Sequence, residues 1–385
     1  MKVAILADGV KPFVLGGMQK HTSLLIKYLL ESGEEVILYH GVPNYSNIPD
    51  DVEIFNGLDI DQLFLAKFSS YCVKWPSMPK FPGHYIIESY LFSNRLFELF
   101  KLNSNTPDVI LAKGFTALAF FKYSSNLKIP IISHLHGYEM YQHDINLKGY
   151  FVNRLLRILS APILKKSDFL ISYGGGITRL LLKLGIHENR IIENASGVDE
   201  TWIRIEEVAT SDVVKIVYLG RFERRKGIQE INEAIAQPIE NIEFHFIGPI
   251  PETHRIEGRK DITYYGTVTN KLKLLSILDK MDVLLCPSYS EGLPNVIMEG
   301  MSRGLAIIST NVGAVEILLG EDNGWIVEVG KSNELRHVIK KIAKLDNEQL
   351  IAKKRMSIKK ISKRLWPNPA TQLISIIKER VLING

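Results

Sequence analysis

Two glutamates bracket a turn in the last third of the chain. Glu291 and Glu299 are separated by seven residues, after an apolar run, Val283–Cys286, that predicts a buried strand. Asn295 or a neighbour opens a predicted helix between them. In an open α/β sheet, ligands bind where a strand's carboxyl end meets a helix N-terminus, whose free N–H groups suit an anion. Carboxylates beside such a turn can bind hydroxyl groups, so the segment indicates a ligand that is part phosphate and part polyol, such as a nucleotide sugar.

Four cations crowd the loop after another apolar run, Val213–Leu219. They are Arg221, Arg224, Arg225 and Lys226. Guanidinium and ammonium groups at the end of a strand are typical of phosphate binding. A basic turn that only faces solvent is the alternative interpretation of the same residues.

A glycine pair and two histidines follow other predicted strands. Gly16 and Gly17 lie between the first strand and a helix predicted over about residues 18–32, the pattern of a βαβ unit. Glycines there allow a close approach to the backbone. His136 precedes a glycine at the carboxyl end of a predicted strand, where a histidine is well placed for chemistry. His134 is an alternative that the sequence leaves open.

Together these segments resemble a known enzyme family. The Glu-Gly-Leu-Pro that begins at Glu291, with the second glutamate at Glu299, resembles the signature of glycosyltransferase family 4. The resemblance extends from residue 16 to about residue 324. Other segments that resemble family motifs are Gly16-Gly17, His136-Gly137 and Gly220-Arg221 with Lys226-Gly227. The family implies retaining enzymes that use nucleotide sugars.

The resemblance implies a role for each matching residue. Arg221 and Lys226 would hold the donor diphosphate, while Arg224 and Arg225 would face solvent. Glu299 would bind ribose hydroxyls and Glu291 would bind hydroxyls of the transferred sugar. The other expected site residues are His136 near the reacting carbon, Gly16 and Gly17 under the diphosphate, His21 on the acceptor side, Val268 at the nucleobase, and Gly292, Leu293, Pro294, Asn295 and Val296 around the helix N-terminus. A solvent-exposed helix position is the alternative for His21.

The alternation of strands and helices predicts an α/β protein, and the resemblance specifies the GT-B fold. In that fold two doubly wound, Rossmann-like domains face each other across a cleft. We expect an acceptor-side domain over residues 1–205 and a nucleotide-sugar-binding domain over residues 206–366. A final helix, about residues 367–385, would pack back on the first domain. With 385 residues the chain is long enough for two cores.

The composition of the chain limits the classes of molecule that it is expected to bind. The formal net charge of +5 is too small and dispersed to argue for nucleic acid, but it suits anionic substrates or an anionic membrane surface. No apolar run approaches the ~18–20 residues of a membrane span, and the N-terminal run is too short for a signal peptide. The two cysteines fit a reducing cytoplasm. An aromatic-rich stretch, 64–100, is interpreted either as an ordinary core or as an acceptor or membrane-facing surface. The segment 147–166 predicts a basic amphipathic helix, and the basic helical segment 333–364 is either a solvated face or a membrane surface.

We therefore expect a cytoplasmic glycosyltransferase, and one interpretation adds peripheral contact with an anionic membrane. It would move a sugar from a nucleotide-diphosphate donor, with UDP favoured, to a glycan or lipid-linked acceptor in surface polysaccharide biosynthesis. We expect metal independence and no cofactor, because fixed cations can stabilise the leaving diphosphate and the Asp59-Ile60-Asp61 motif lies away from the donor segments. The alternatives are a nucleotide-sugar epimerase of the same fold, a non-catalytic nucleotide-sugar-binding protein and a glycoside hydrolase.

Overall fold

The first half of the chain forms a parallel sheet. The computed structural model describes residues 1–14, 16–81, 83–123 and 127–382, and within them this sheet has seven strands in the order β3-β2-β1-β4-β5-β6-β7. The strands are β1 (Lys2–Leu6), β2 (Glu35–Val42), β3 (Phe68–Lys74), β4 (Val109–Lys113), β5 (Ile131–His134), β6 (Phe169–Ser172) and β7 (Ile191–Glu193). The helices are α1 (Gly17–Glu31), α2 (Asp51–Gly57), α3 (His84–Leu102), α4 (Leu118–Lys122), α5 (Leu147–Lys166) and α6 (Gly176–Lys183).

The second half repeats the pattern with six strands among the described residues, in the order β10-β9-β8-β11-β12-β13. The strands are β8 (Val214–Leu219), β9 (Ile242–Ile247), β10 (Ile262–Gly266), β11 (Val283–Cys286), β12 (Ala306–Thr310) and β13 (Gly324–Val327). The helices are α7 (Ile228–Ala234), α8 (Lys271–Leu278), α9 (Asn295–Ser302), α10 (Ser332–Ile342), α11 (Asn347–Ile361) and α12 (Asn368–Ile376), followed by a π-helical turn, Ile377–Leu382.

Both sheets have the same topology. Counting strands within each half, the order is third, second, first, fourth, fifth and sixth, with a seventh strand added to the first sheet. This is the doubly wound order, in which the connections change direction between the first and fourth strands and open a crevice at their carboxyl ends. The crevices lie after β1 and β4 in one half and after β8 and β11 in the other. The predicted α/β fold with two Rossmann-like sheets is confirmed.

The strands are apolar on both faces, as expected for parallel sheets covered by helices on both sides. In β1, Val3 and Ile5 pack into one cluster, whereas Ala4 and Leu6 pack into another. The second of these clusters also contains Leu284 of β11, so apolar packing continues from one half into the other.

The last described helix and the turn after it pack against the first sheet. Leu373 of α12 and Ile377 after it are buried in the cluster that contains Val3 and Ile5. Lys378 Nζ donates to Glu34 Oε1 at 2.7 Å, an additional tie to the first half. The domain bounds given above, at residues 205/206 and 366/367, stay a prediction. Within the described residues no helix combines the length and apolar character needed to cross a bilayer.

Candidate active site

A cleft of about 790 Å³ separates the carboxyl ends of the two sheets. This volume lies within the range of about 300–1,000 Å³ that small-molecule sites occupy. The sequence-predicted residues on its wall are Gly16, Gly17, His21, His136, Arg221, Lys226, Glu291, Gly292, Leu293, Pro294, Asn295, Val296 and Glu299. Val268 is not on this wall. It follows β10 at the edge of the second sheet and packs against the core, so its nucleobase contact stays a prediction.

Glu291 is held by two donors in its own half. Lys226 Nζ donates to Glu291 Oε1 at 2.6 Å, and Ser288 Oγ donates to the same oxygen at 2.7 Å. Glu291 is buried on the cleft wall. Among the described residues, nothing donates to its Oε2. One carboxylate oxygen is therefore fixed by the protein while the other can accept from a ligand.

The N-terminus of α9 lies beside this carboxylate. Pro294 caps the helix without a side-chain hydrogen bond. The N–H groups of Asn295 and Val296 donate to no acceptor within the described residues. Free N–H groups at the start of a helix attract anions through their own donors and the helix dipole. The helix start and Lys226 are thus both available to a phosphate in the cleft.

Glu299 connects the two halves. Lys20 Nζ on α1 donates to Glu299 Oε1 on α9 at 2.8 Å, and the same ammonium lies 5.0 Å from the centre of the Trp202 ring. Nothing in the described part of the chain donates to Oε2 of Glu299. The sequence predictions missed Lys20, because a pair between residues 279 positions apart leaves no local pattern.

The solvent exposure of the three arginines in the basic loop differs in part from the prediction. Arg221 is largely exposed, with a 68% exposed side chain, and pairs with Glu223 at 3.0 Å. The prediction that Arg224 and Arg225 face solvent is wrong. The Arg224 guanidinium pairs with the buried carboxylate of Glu230 at 2.6 Å, and the Arg224 side chain is therefore only partly exposed.

Arg225 lies on the cleft wall and reaches both halves. It pairs with Glu223 at 2.7 Å and with Glu139 of the first half at 3.2 Å. Arg225 is therefore a further cation on the cleft wall, although the sequence analysis expected it to face solvent.

Three histidines lie together at the first half's side of the cleft, where His21 and His134 are buried and His136 is half-buried. His134 and His136 stack with ring centres 4.0 Å apart, and the His21 ring lies 5.5 Å from each. The Tyr173 hydroxyl and His136 Nδ1 share a hydrogen bond of 2.7 Å. Burial is the main cause that lowers the pKa of all three imidazoles, so they are neutral. The solvent-exposed interpretation of His21 is wrong.

The structure distinguishes the two candidate histidines. His136 is on the cleft wall, and its backbone is in the left-handed region, with φ of 55°. That conformation is uncommon for a residue with a Cβ and is concentrated at functional sites. His134 is instead buried behind it, with Nδ1 3.1 Å from Lys113 Nζ. His136 is the histidine that a substrate can contact.

The loops that carry His136 and Glu291 meet at two glycines. A Cβ on Gly137 would lie 2.9 Å from the backbone nitrogen of Gly292, and a Cβ on Gly292 would lie 3.0 Å from the Gly137 Cα. Only glycine permits this approach without movement of the backbone. Gln142 Nε2 then donates to the Glu291 carbonyl at 2.6 Å, joining the same two loops.

Lys113 and Asp8 are cleft residues that the sequence analysis missed. Lys113 ends β4, and burial lowers its pKa to about 7. Asp8 follows β1, and burial raises its pKa to about 6, while Gln19 Nε2 donates to its carboxylate at 3.0 Å. A charged residue at the end of an apolar strand was the available signal, because strand ends in such sheets face the ligand crevice.

No set of three His, Cys, Asp or Glu side chains within the described residues is arranged to hold a metal ion. Asp61 caps a short 3₁₀ turn in the first half by accepting from the Leu63 N–H at 3.0 Å. Metal independence stays a prediction.

Two doubly wound sheets facing across a cleft, with cations and carboxylates at the strand ends, define the GT-B class of transferases. Solved structures agree with this fold. Sucrose-phosphate synthase from Thermosynechococcus elongatus superposes with a TM-score of 0.78 over 98% of this chain and 98% of that chain, at 16% identity. HepE of Anabaena, solved with UDP and glucose, gives a TM-score of 0.68 over 98% of this chain and 99% of its own, also at 16% identity.

Family comparisons agree with the fold. The model described as Glycosyltransferase Family 4 matches residues 15–202, and the model described as Glycosyl transferases group 1 matches residues 213–344. The chain therefore belongs to glycosyltransferase family 4, and the resemblance inferred from its motifs is confirmed. TuaC of Bacillus subtilis, whose name assigns it to teichuronic acid biosynthesis, is 27% identical over 231 residues, which span 59% of this chain and 58% of TuaC.

The buried Lys113 amine leads to a prediction about pH. Its folded pKa of about 7 lies below the ~10.4 of an unfolded lysine, so between these values the unfolded chain binds the extra proton and stability rises with pH. We expect the free energy of unfolding of the native protein, relative to that of Lys113→Met, to rise by at least about 1 kcal/mol between pH 7 and pH 10. Urea unfolding at several pH values measures it. A difference that does not change with pH would show that Lys113 titrates normally.

Proposed function

We propose that this glycosyltransferase moves a sugar from a nucleoside diphosphate to a hydroxyl of a glycan or lipid-linked acceptor, with retention and without a metal ion. One observation carries the proposal. Lys226 and the free N–H groups at the start of α9 converge on the same cleft wall as Glu291 and Glu299, each of which keeps one oxygen without a protein partner. An anion site beside two hydroxyl-binding acids suits a nucleotide sugar.

The residues of the cleft wall then have the following roles. In this proposal Glu299 binds the ribose and Glu291 binds the transferred sugar, while Gly16 and Gly17 lie beneath the diphosphate. Arg221 and Lys226 neutralise the diphosphate, and Arg225 reinforces the charge of this wall. Residues 206–366 would be the donor-binding domain, and residues 1–205 with the final helix would be the acceptor-side domain.

The reaction step is a displacement at the anomeric carbon. The acceptor oxygen forms a bond to that carbon as the bond from carbon to the phosphate oxygen breaks. The acceptor's proton passes to the departing phosphate, so no enzyme nucleophile is needed and attack occurs from the leaving-group face, which retains the configuration. Negative charge grows on the diphosphate, and Lys226, Arg221 and the α9 N–H groups stabilise it. Such fixed donors can replace the charge that a metal ion would supply.

The first half supplies the sugar and acceptor side of the cleft. His136 contacts the donor sugar near the reacting carbon, and its hydrogen bond with Tyr173 fixes the ring. His21 lies beside it on the same wall. We assign the donor nucleotide as UDP, a proposal supported by the HepE structure solved with UDP and glucose. The name of TuaC supports an acceptor in surface polysaccharide biosynthesis.

A cytoplasmic enzyme with a lipid-linked acceptor would touch an anionic membrane. Two contacting helices carry the surface that supports this part of the proposal, since the Tyr85 hydroxyl of α3 donates to the Val152 carbonyl of α5 at 3.3 Å. Exposed apolar side chains on or beside these helices are Phe81, Ile87, Tyr90, Leu91, Leu147, Tyr150, Phe151 and Val152. Lys148 and Arg154 on α5 are exposed among them. Apolar and basic side chains on one surface suit an anionic bilayer.

Lys226→Ala tests the leaving-group role. We expect kcat for nucleoside diphosphate release to fall by more than about 10²-fold, the loss seen when a donor to a developing charge is removed. The control is Lys341→Ala, which removes an exposed lysine of α10 that is not on the cleft wall. Near-normal turnover of the Lys226 variant would remove this residue from the mechanism.

Glu299→Ala tests the ribose contact. Charged hydrogen bonds are worth about 1.5–3 kcal/mol each, so the donor Kd measured by calorimetry should rise at least about tenfold. Because the substitution also breaks the pair with Lys20, Lys20→Met is the matched control: it removes the pair but keeps the carboxylate. That control should change the Kd by less than about fivefold, since partly exposed pairs contribute about 0–1 kcal/mol. Equal effects of both variants would assign the role to the ion pair instead.

Membrane contact is tested by sedimentation with lipid vesicles. Phe151→Glu places a charge at a 64% exposed position of α5 and should lower partitioning onto phosphatidylglycerol-containing vesicles by more than about tenfold, because one apolar anchor is lost. Leu272→Glu makes the same change at a 76% exposed position of α8 in the other half and should have little effect. If the native protein does not sediment with these vesicles, the membrane part of the proposal is wrong.

A further inference from the structure

Lys113 is a buried amine without a counter-ion. It lies on the wall of the cleft at the end of β4 and is 1% exposed. Its Nζ has one hydrogen-bond partner in the described part of the chain, the neutral imidazole of His134. No carboxylate among those residues pairs with it. A buried ammonium is costly unless an anion accompanies it.

The histidines around Lys113 have spare hydrogen-bonding capacity. Both ring nitrogens of His21, and Nε2 of His134 and of His136, are buried without a partner within the described residues. Buried polar atoms of this kind usually meet a ligand or an ordered water. His21 and His136 are on the cleft wall with Lys113, so a ligand in the cleft can reach this group.

The charge of the group limits what it can bind. Because the imidazoles are neutral, the group can carry one positive charge, that of the Lys113 ammonium, which a bound anion would stabilise. One cation matches a monoanion such as a carboxylate better than a phosphate dianion. Asp8 is on the same wall, but Gln19 holds its carboxylate and it does not pair with Lys113. The donor diphosphate has its own cations, Arg221 and Lys226, in the second half.

We propose that Lys113, with His21 and His136, binds a carboxylate carried on a sugar ring, so that one substrate of this enzyme is a uronic acid. This inference rests on the proposed function, and it names the class of sugar at the same site. The carboxylate can belong to the transferred sugar or to the acceptor. In either case its contacts are an ammonium and imidazole N–H groups in a site from which most water is excluded, where charged hydrogen bonds are strong.

The test compares ligands that differ only in the carboxylate. The first arm measures calorimetric Kd values for UDP-glucose against UDP-glucuronate and for GDP-mannose against GDP-mannuronate, with the bare nucleotides alongside. The second arm measures the Kd of methyl glucoside and the Kd of methyl glucuronide, each with and without UDP. The native protein should prefer the uronate by at least about tenfold in one arm, the size expected for a charged hydrogen bond.

Lys113→Met should reduce that ratio to about threefold or less, the remainder being weaker imidazole contacts. Lys183→Met, which changes an exposed lysine at the end of α6, should retain the native ratio. A preference in the first arm assigns the carboxylate to the donor, and one in the second arm assigns it to the acceptor. Both support the inference.

Two results would overturn it. The first is no uronate preference in either arm of the native protein, and the second is a preference that persists in Lys113→Met. Nucleotide binding without a uronate preference leaves the proposed function intact while the inference fails. No nucleotide binding at all would instead count against the proposed function, and the glucuronide arm without UDP would still decide the inference.

Discussion

The close approach of Gly137 and Gly292 is the constraint on which the site depends. A Cβ on either glycine would meet the backbone of the other glycine, so the loop after β5 and the loop after β11 touch directly. This contact brings His136 of one half and Glu291 of the other to the same cleft. Two sheets of equal topology would otherwise present their ligand crevices separately. The arrangement of residues around the cleft is thus a property of the contact between the halves and not of either half alone.

Charged pairs prepare the cleft for an anionic ligand. Lys226 with Glu291, Lys20 with Glu299 and Arg225 with Glu139 each place a cation beside an acid on the wall. The acids gain fixed orientations from these pairs, and they retain free oxygens for hydroxyl groups. The cations keep further N–H donors for phosphate. In the proposed function, a diphosphate and a sugar enter a site whose groups are already oriented, which lowers the reorganisation that a charge-separating reaction requires.

Local pattern together with the family resemblance pointed to most of the residues on the cleft wall. Glu291 and Lys226 follow apolar strands, Glu299 lies on the helix after one of them, and the carboxyl ends of parallel strands meet at the same edge of a sheet. The sequence did not show which charged residues form ion pairs between the two halves. Arg225 looked identical to Arg224 in the sequence, yet only Arg225 reaches Glu139, because the outcome depends on a contact 86 residues away. Lys113 was missed for a related reason, since the final residue of an apolar strand reveals its burial only once the histidines pack around it.

The central claim is that Lys226 and the start of α9 hold the donor diphosphate without a metal ion. A crystal structure of the protein with a bound nucleoside diphosphate, grown in the presence of EDTA, examines it most directly. The account predicts phosphate oxygens within hydrogen-bond distance of Lys226 Nζ and of the Asn295 and Val296 N–H groups, with the ribose hydroxyls on Glu299. A diphosphate located elsewhere, or one that binds only when a divalent metal is supplied, would contradict it.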